Sequence, residues 1–268
     1  MTDQFKDQVV IITGGGRGIG RATAIEFACE GATVLLAGRR MDALETAANE
    51  CRHAGGHAEI VRCDVAKEED LRALVGKAIA HHGRVDVLVN NAGVVSGGRL
   101  DEIPGDDIGR MVGVNIWAPI RLAQLVLPHM REAKRGTIVN VSSVAGRMGL
   151  PYYATYCASK YAMRGFSEAL RREVARDGVH VVAVYPGPTA TDLMENVEVE
   201  GLGLSVATAQ QVAKALVRGV RWHQPEVFIG IGESIVSRWN DLLPWTVDYT
   251  VDIMRERMHA AVHKQRTT

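Results

Sequence analysis

A chain of 268 residues, 47% hydrophobic and 23% charged, can bury a core, which excludes disordered, collagen-like and low-complexity classes. Its 31 basic and 31 acidic side chains cancel, so no bulk charge favours nucleic acid or an anionic membrane, and neither is expected as a partner. Cys29, Cys51, Cys63 and Cys157 form no CxxC pair and read as free thiols, and no metal site is expected. The polar first seven residues, and the lack of an apolar run near ~18 residues, point to a cytoplasmic protein that does not span a membrane.

The first apolar run, 9–12, leads into Thr13-Gly14-Gly15-Gly16-Arg17-Gly18-Ile19-Gly20 and a helix over 21–30. A tight glycine turn between strand and helix lets backbone N–H groups and the positive helix end meet a pyrophosphate. Gly14, Gly16, Arg17, Gly18, Ile19 and Gly20 are therefore candidate cofactor-binding residues. The second run, 33–36, ends in Gly38-Arg39-Arg40. An acid there would hold the free ribose of NAD, whereas Arg39 and Arg40, with Arg17, suit a 2′-phosphate. NADP(H) is the expected cofactor.

Further β-branched runs at 58–62, 85–89, 137–141, 179–184 and 227–231 alternate with helical stretches such as Leu71, Leu74, Val75, Ala78 and Ile79. Strands buried on both faces and joined by long crossovers predict a doubly wound, mostly parallel, seven-stranded α/β sheet with helices on both faces. Glycines gather where strands end, marking the edge at which ligands bind. Residues 1–232 read as one domain. From Glu233 the alternation stops, and residues 233–268 read as a helical extension with Trp239 and Trp245 and an apolar stripe of Val247, Val251, Met254, Met258 and Ala261. Packing on its own domain or on a neighbouring subunit is expected for it, with a membrane-surface helix as the minor alternative. Pro119 and Pro128 should bend or end the helix that follows Asp106.

The strand at 137–141 ends in Ser142-Ser143, and Tyr156-Cys157-Ala158-Ser159-Lys160 begins 13 residues beyond Ser143. Tyr and Lys four apart share a helix face, where a cation favours phenolate and turns a phenol into a usable acid or base. With Asn90-Asn91-Ala92-Gly93, Asn115 and Pro186-Gly187, these motifs stand in an order that resembles the short-chain dehydrogenase/reductase family over about residues 6–232. The resemblance implies a Rossmann fold. It implies Tyr156 as general acid in reduction and base in oxidation, Lys160 lowering its pKa and holding ribose hydroxyls, and Ser143 holding the substrate oxygen. Asn115 would kink its helix and hold a water that relays protons to Lys160. Asp64 and Val65 would meet adenine, Asn91, Ala92 and Gly93 the adenosine ribose, and Pro186, Gly187, Thr189 and Thr191 the nicotinamide carboxamide. A substrate lid is implied at about 191–207. Asp64 also reads as an N-cap for the helix beginning near Lys67.

The reading that follows is an NADP(H)-dependent oxidoreductase acting on a moderately hydrophobic carbonyl or secondary alcohol, in a homo-oligomer, dimer or tetramer. The alternatives are an NAD-dependent alcohol or hydroxysteroid dehydrogenase and a non-catalytic NADP-sensing binding protein. Val94, Val95, Ser96, Arg147, Met148, Tyr152 and Tyr153 are expected to face the substrate pocket. His81 and His82 read as basic groups at a helix end, and Cys157 as packing.

Overall fold

The computed structural model describes residues 4–190, 206–249 and 252. One sheet contains β1 (Val9–Thr13), β2 (Thr33–Gly38), β3 (His57–Arg62), β4 (Val87–Asn90), β5 (Gly136–Val141), β6 (Val179–Tyr185) and β9 (Glu226–Phe228). Their order is β3-β2-β1-β4-β5-β6-β9, and every adjacent pair is parallel. A separate short pair joins β7 (Thr189–Ala190) to β8 (Ala207–Thr208). Residues 191–205, which hold Thr191 and most of the expected lid, lie outside the described residues.

Alternation along the strands builds a core on each face. Val10, Ile12, Val34, Leu36, Val87 and Val89 point to α1 (Gly18–Ala28), α2 (Met41–His53) and α7 (Ala209–Arg221). Val9, Ile11, Leu35, Leu88 and Ile138 point the other way, to α3 (Glu68–His82), α5 (Ala118–Glu132) and α6 (Ala154–Glu173). The chain leaves β1 toward β2 and β3 and returns at β4 on the other side. The carboxyl ends of β1 and β4 therefore bound the crevice of a topological switch point.

Of the two outcomes expected, bending or ending, Pro119 and Pro128 do not bring the second. α4 (Gly105–Val112), a widened turn at Gly113–Trp117 and α5 run on continuously, with Pro119 in the first turn of α5 and Pro128 inside it. Pro119 offers no N–H to the Asn115 carbonyl four residues back, and the ladder relaxes there to five-residue spacing, Ala118 donating to the Gly113 carbonyl. By length and composition the span Gly105–Glu132 is the one described helix apolar enough to cross a membrane, but half of its apolar window is buried inside the protein. At the chain's far end α8 (Ile231–Leu242) follows β9 directly. All four tryptophans, Trp117, Trp222, Trp239 and Trp245, are exposed.

Candidate active site

The cofactor turn is built from behind. Thr13 Oγ accepts from the backbone N–H groups of Asn91 and Ala92, both at 3.0 Å, and the Asn91 carboxamide donates to the Thr13 and Gly14 carbonyls at 2.9 and 3.3 Å. Asn91 thus braces the turn with its carboxamide, a duty the sequence reading did not foresee when it set the residue beside a ribose. Gly14 and Gly18 hold φ of +65° and +53°, values that favour glycine. A Cβ on Gly20 would lie 2.3 Å from the Gly14 carbonyl oxygen, so only glycine lets α1 start so close to the turn. No side chain caps the first turn of α1 and no acid lies in it. Arg17, Arg39 and Arg40 are exposed at the ends of β1 and β2. This cradle fits an anionic dinucleotide.

The remaining cofactor candidates sit along the same edge. Asp64 is not an N-cap: α3 begins after Lys67, and the Asp64 carboxylate instead accepts from the backbone of Ala66 at 3.2 Å. Val65 is buried beside it. A Cβ on Gly93 would touch Asn115 Oδ1 at 3.5 Å and Lys160 Nζ at 3.7 Å, which puts Gly93 at the junction of the cofactor crevice and the Lys160 amine. Pro186 anchors the loop after β5, its carbonyl accepting from Val144 N–H at 3.0 Å, and Thr189 Oγ donates to the Gly187 carbonyl at 3.0 Å.

The structure brings Ser143, Tyr156, Lys160 and Asn115 together. Ser143 caps a short turn at Val144–Gly146, accepting from Ala145 N–H at 3.1 Å, and its hydroxyl stands near enough to the Tyr156 phenol to favour the phenolate. Ser142 turns away, buried, to donate to the Lys160 carbonyl at 3.0 Å, so strand alternation separates the two serines as the spacing indicates. Lys160 Nζ lies 5.7 Å from the centre of the Tyr156 ring and donates to the Val141 carbonyl at 3.1 Å. Asn115, in the widened turn, accepts from Val94 N–H at 2.9 Å and donates to the Val94 carbonyl at 2.8 Å and to Ser159 Oγ at 3.0 Å. Ser159 in turn donates to the Tyr156 carbonyl at 2.7 Å. Asn115 therefore ties the crevice after β4 to α6.

The charges differ from the expectation. Burial pushes the Tyr156 phenol up to about 12, with the Ser143 hydrogen bond pulling part of the way back. Burial also draws the Lys160 ammonium down to about 8. Burial outweighs the lowering of Tyr156 expected from Lys160, whose amine is itself desolvated and engages the Val141 carbonyl and the ring face.

Two pocket assignments also change. Arg147 does not face the pocket: its side chain is only 6% exposed and pairs with Glu226 and Asp241. Tyr153 is buried with Ala145 and Cys157. Cys157 accepts from Leu150 N–H at 3.3 Å, as a packing residue. His81 and His82 occupy the last turn of α3 before Gly83 and meet Glu59 on β3, the three bringing ligand atoms within 4.8 Å of one another. Lys77 already reaches the same Glu59 carboxylate at 3.2 Å, so this is first an ion-pair cluster at the helix end.

A family model described as short chain dehydrogenase matches residues 8–201. The chain belongs to the short-chain dehydrogenase family. This dehydrogenase is 34% identical over 247 residues to a Mycobacterium tuberculosis protein carrying the name oxidoreductase SadH, across 87% of this chain and 90% of that one. It is 35% identical over 226 residues to 11-beta-hydroxysteroid dehydrogenase-like 4A of Arabidopsis thaliana, across 82% and 75% of the two chains. Among solved structures, a short-chain dehydrogenase/reductase from Burkholderia phymatum in complex with NAD matches with a TM-score of 0.81 at 27% identity, covering 89% of this chain and 94% of the other. The family is one of oxidoreductases that bind a nicotinamide cofactor and act on small molecules.

Proposed function

We propose that this short-chain dehydrogenase uses NADP(H) to interconvert a moderately hydrophobic carbonyl compound and its secondary alcohol. The observation that carries the proposal is the gathering of Ser143, Tyr156 and a buried Lys160, whose amine lies 5.7 Å from the Tyr156 ring centre, beside the glycine cradle. Bound in that cradle, the cofactor would supply or accept a hydride at its nicotinamide. Gly14, Gly16, Arg17, Gly18, Ile19, Gly20, Asp64, Val65, Ala92, Gly93, Pro186, Gly187, Thr189 and Thr191 would hold it, and Asn91 would hold the turn itself.

In reduction, Tyr156 passes its phenolic proton to the substrate oxygen as charge develops there. Ser143 contacts the Pro186 carbonyl only at 3.5 Å, so its hydroxyl hydrogen is weakly held and can turn to that oxygen. Lys160, at about 8, exchanges protons near neutral pH and so can restore the proton of a phenol whose own value lies far above it. The main-chain carbonyl of Asn115, which loses its usual helical donor to Pro119, offers the outer end of that relay.

Arg39 and Arg40 support NADP(H) over NAD: both are exposed where β2 ends, and no ion pair of either is found among the described residues. NAD is the second reading, favoured by the NAD bound to the Burkholderia phymatum relative. The deciding experiment screens ketones, ketoacyl thioesters, steroids and sugars for NADPH and NADH oxidation. Tyr156→Phe should retain cofactor binding and lose activity by roughly a hundredfold or more. Arg39→Glu should weaken NADPH use alone. Normal turnover by Tyr156→Phe overturns the acid assignment and reopens a cofactor-sensing role, and equal use of both cofactors by the parent overturns the arginine argument.

The same reading takes the protein as a cytoplasmic homo-oligomer, dimer or tetramer, with 1–232 as the catalytic unit and 233–268 as an extension of it. Exposed Val112, Trp117 and Ile120 along α4 and α5 support self-association. Sedimentation velocity should show a dimer or larger, and a monomer at micromolar concentration removes the assignment.

A further inference from the structure

Seven residues that the proposed reaction does not use form one charged junction behind the active site. Arg147 donates from Nη1 to Glu226 at 2.9 Å and from Nη2 to Asp241 at 3.2 Å. Its guanidinium lies 5.4 Å from the ring centre of Tyr185 and 5.7 Å from that of Phe228, and its Nε is buried without a partner. Asp241 of α8 is the shared member, because both its oxygens also accept from Arg164 of α6, at 3.2 and 3.0 Å. Next to it on α8, Asn240 donates to the Arg147 main-chain carbonyl at 3.0 Å.

The position of the two arginines gives the junction its meaning. Arg147 follows the Val144–Gly146 turn that Ser143 caps. Tyr156, Lys160 and Arg164 stand four residues apart on one face of α6. A single carboxylate on α8 therefore grips both bodies whose separation sets how Ser143 and Tyr156 face each other. Gly146 is the point of closest approach between them, since a Cβ there would lie 2.6 Å from the Lys160 carbonyl and 2.7 Å from Ser142 Oγ. Two carboxylates balance two guanidiniums, so the junction is neutral as a set, and a buried, partly unpaired arginine adds little stability to compensate for its desolvation. Its yield is position.

We infer that Asp241 is a positioning residue of the active site, clamping the Ser143 loop to the Tyr156 helix through Arg147 and Arg164. The inference rests on the proposed roles of Ser143 and Tyr156. It assigns α8 to the working enzyme, where the fold alone would let it be a trailing element.

The test is Asp241→Asn in the full chain, a half-exposed and nearly isosteric change that leaves Arg147 paired with Glu226. Rates are measured per cofactor-binding site with the best substrate from the carbonyl panel. A displaced reacting pair should lower kcat roughly tenfold or more while cofactor Kd stays within about twofold. Arg164→Leu should lose rate similarly, and the double variant should be no slower than the worse single one. Parental kcat in Asp241→Asn, or losses that multiply in the double variant, overturn the clamp. Tyr156→Phe in the same assay separates the two readings: if it keeps its rate, the acid assignment fails whatever Asp241 does. Where the panel yields no substrate, deuterium exchange decides, because amides 143–148 should exchange faster in Asp241→Asn, and unchanged exchange overturns the proposal.

Discussion

Lys160 carries the largest conflict between burial and charge at any single residue of the site. It is held near 8, below the usual lysine range, by desolvation, its amine donating to the Val141 carbonyl beside an aromatic face. Between that value and the ordinary lysine value of 10.5 the folded chain binds fewer protons than the unfolded chain. Stability from this group therefore rises with pH across the interval, and the cost is fully present below about pH 8. Lys160→Met removes that cost. The variant should be more stable than the parent at pH 7 by up to about 3 kcal/mol. The gain should fade as urea melts are moved from about pH 8 to 10.5. A variant equally or less stable at pH 7 would show that the amine is not paying a desolvation penalty. Tyr156 acts with the opposite sign, because a phenol raised to about 12 loses stability as pH climbs past its ordinary value of 10, and comparing parent with variant cancels that contribution.

At the scale of elements, β4 and β5 share a polar pair inside the core. Asn90 and Asn140 stand in register, and Asn90 donates to Asn140 Oδ1 at 2.9 Å while Asn140 donates to Ser167 Oγ of α6 at 2.9 Å. Ser167 Oγ donates in turn to the Met163 carbonyl at 2.7 Å. This chain staples the two central strands to the catalytic helix. Asn140→Val leaves the Asn90 amide without that partner in a dry interior and should cost about 1–3 kcal/mol in a denaturant melt. A neutral result would mean that water or a shifted side chain satisfies Asn90. The strands themselves were legible in the sequence because a strand buried on both faces is an unbroken apolar run, as in Val-Val-Ile-Ile at 9–12. The two asparagines interrupting such runs were a visible signal of this staple that the sequence reading did not take up. The boundaries were less visible: β9 ends at Phe228 where the apolar run suggested 231, because α8 takes over the chain at Ile231.

For the whole molecule, what could be foreseen divides by how far apart the partners lie. The Tyr156–Lys160 pair and the glycine turn are local patterns, and their spacing carries their geometry. Arg147 was misjudged because its partners, Glu226 and Asp241, are 79 and 94 residues away and leave no periodic trace. An arginine in a glycine-rich loop four residues beyond Ser143 looks solvent-facing until α8 is folded over it. The placing of bulky aromatics at this scale is equally hard to read locally, and it has a practical result. Because Trp222, Trp239 and Trp245 already meet water and only Trp117 stands on the face proposed for self-association, most of the emission should resemble that of hydrated tryptophan before any denaturant is added. The colour of that emission should shift little on unfolding, while far-ultraviolet circular dichroism records a full transition over the same titration. A large red shift would mean that assembly hides some of these rings. Read by fluorescence alone, a sound preparation of this enzyme would pass for a partly denatured one.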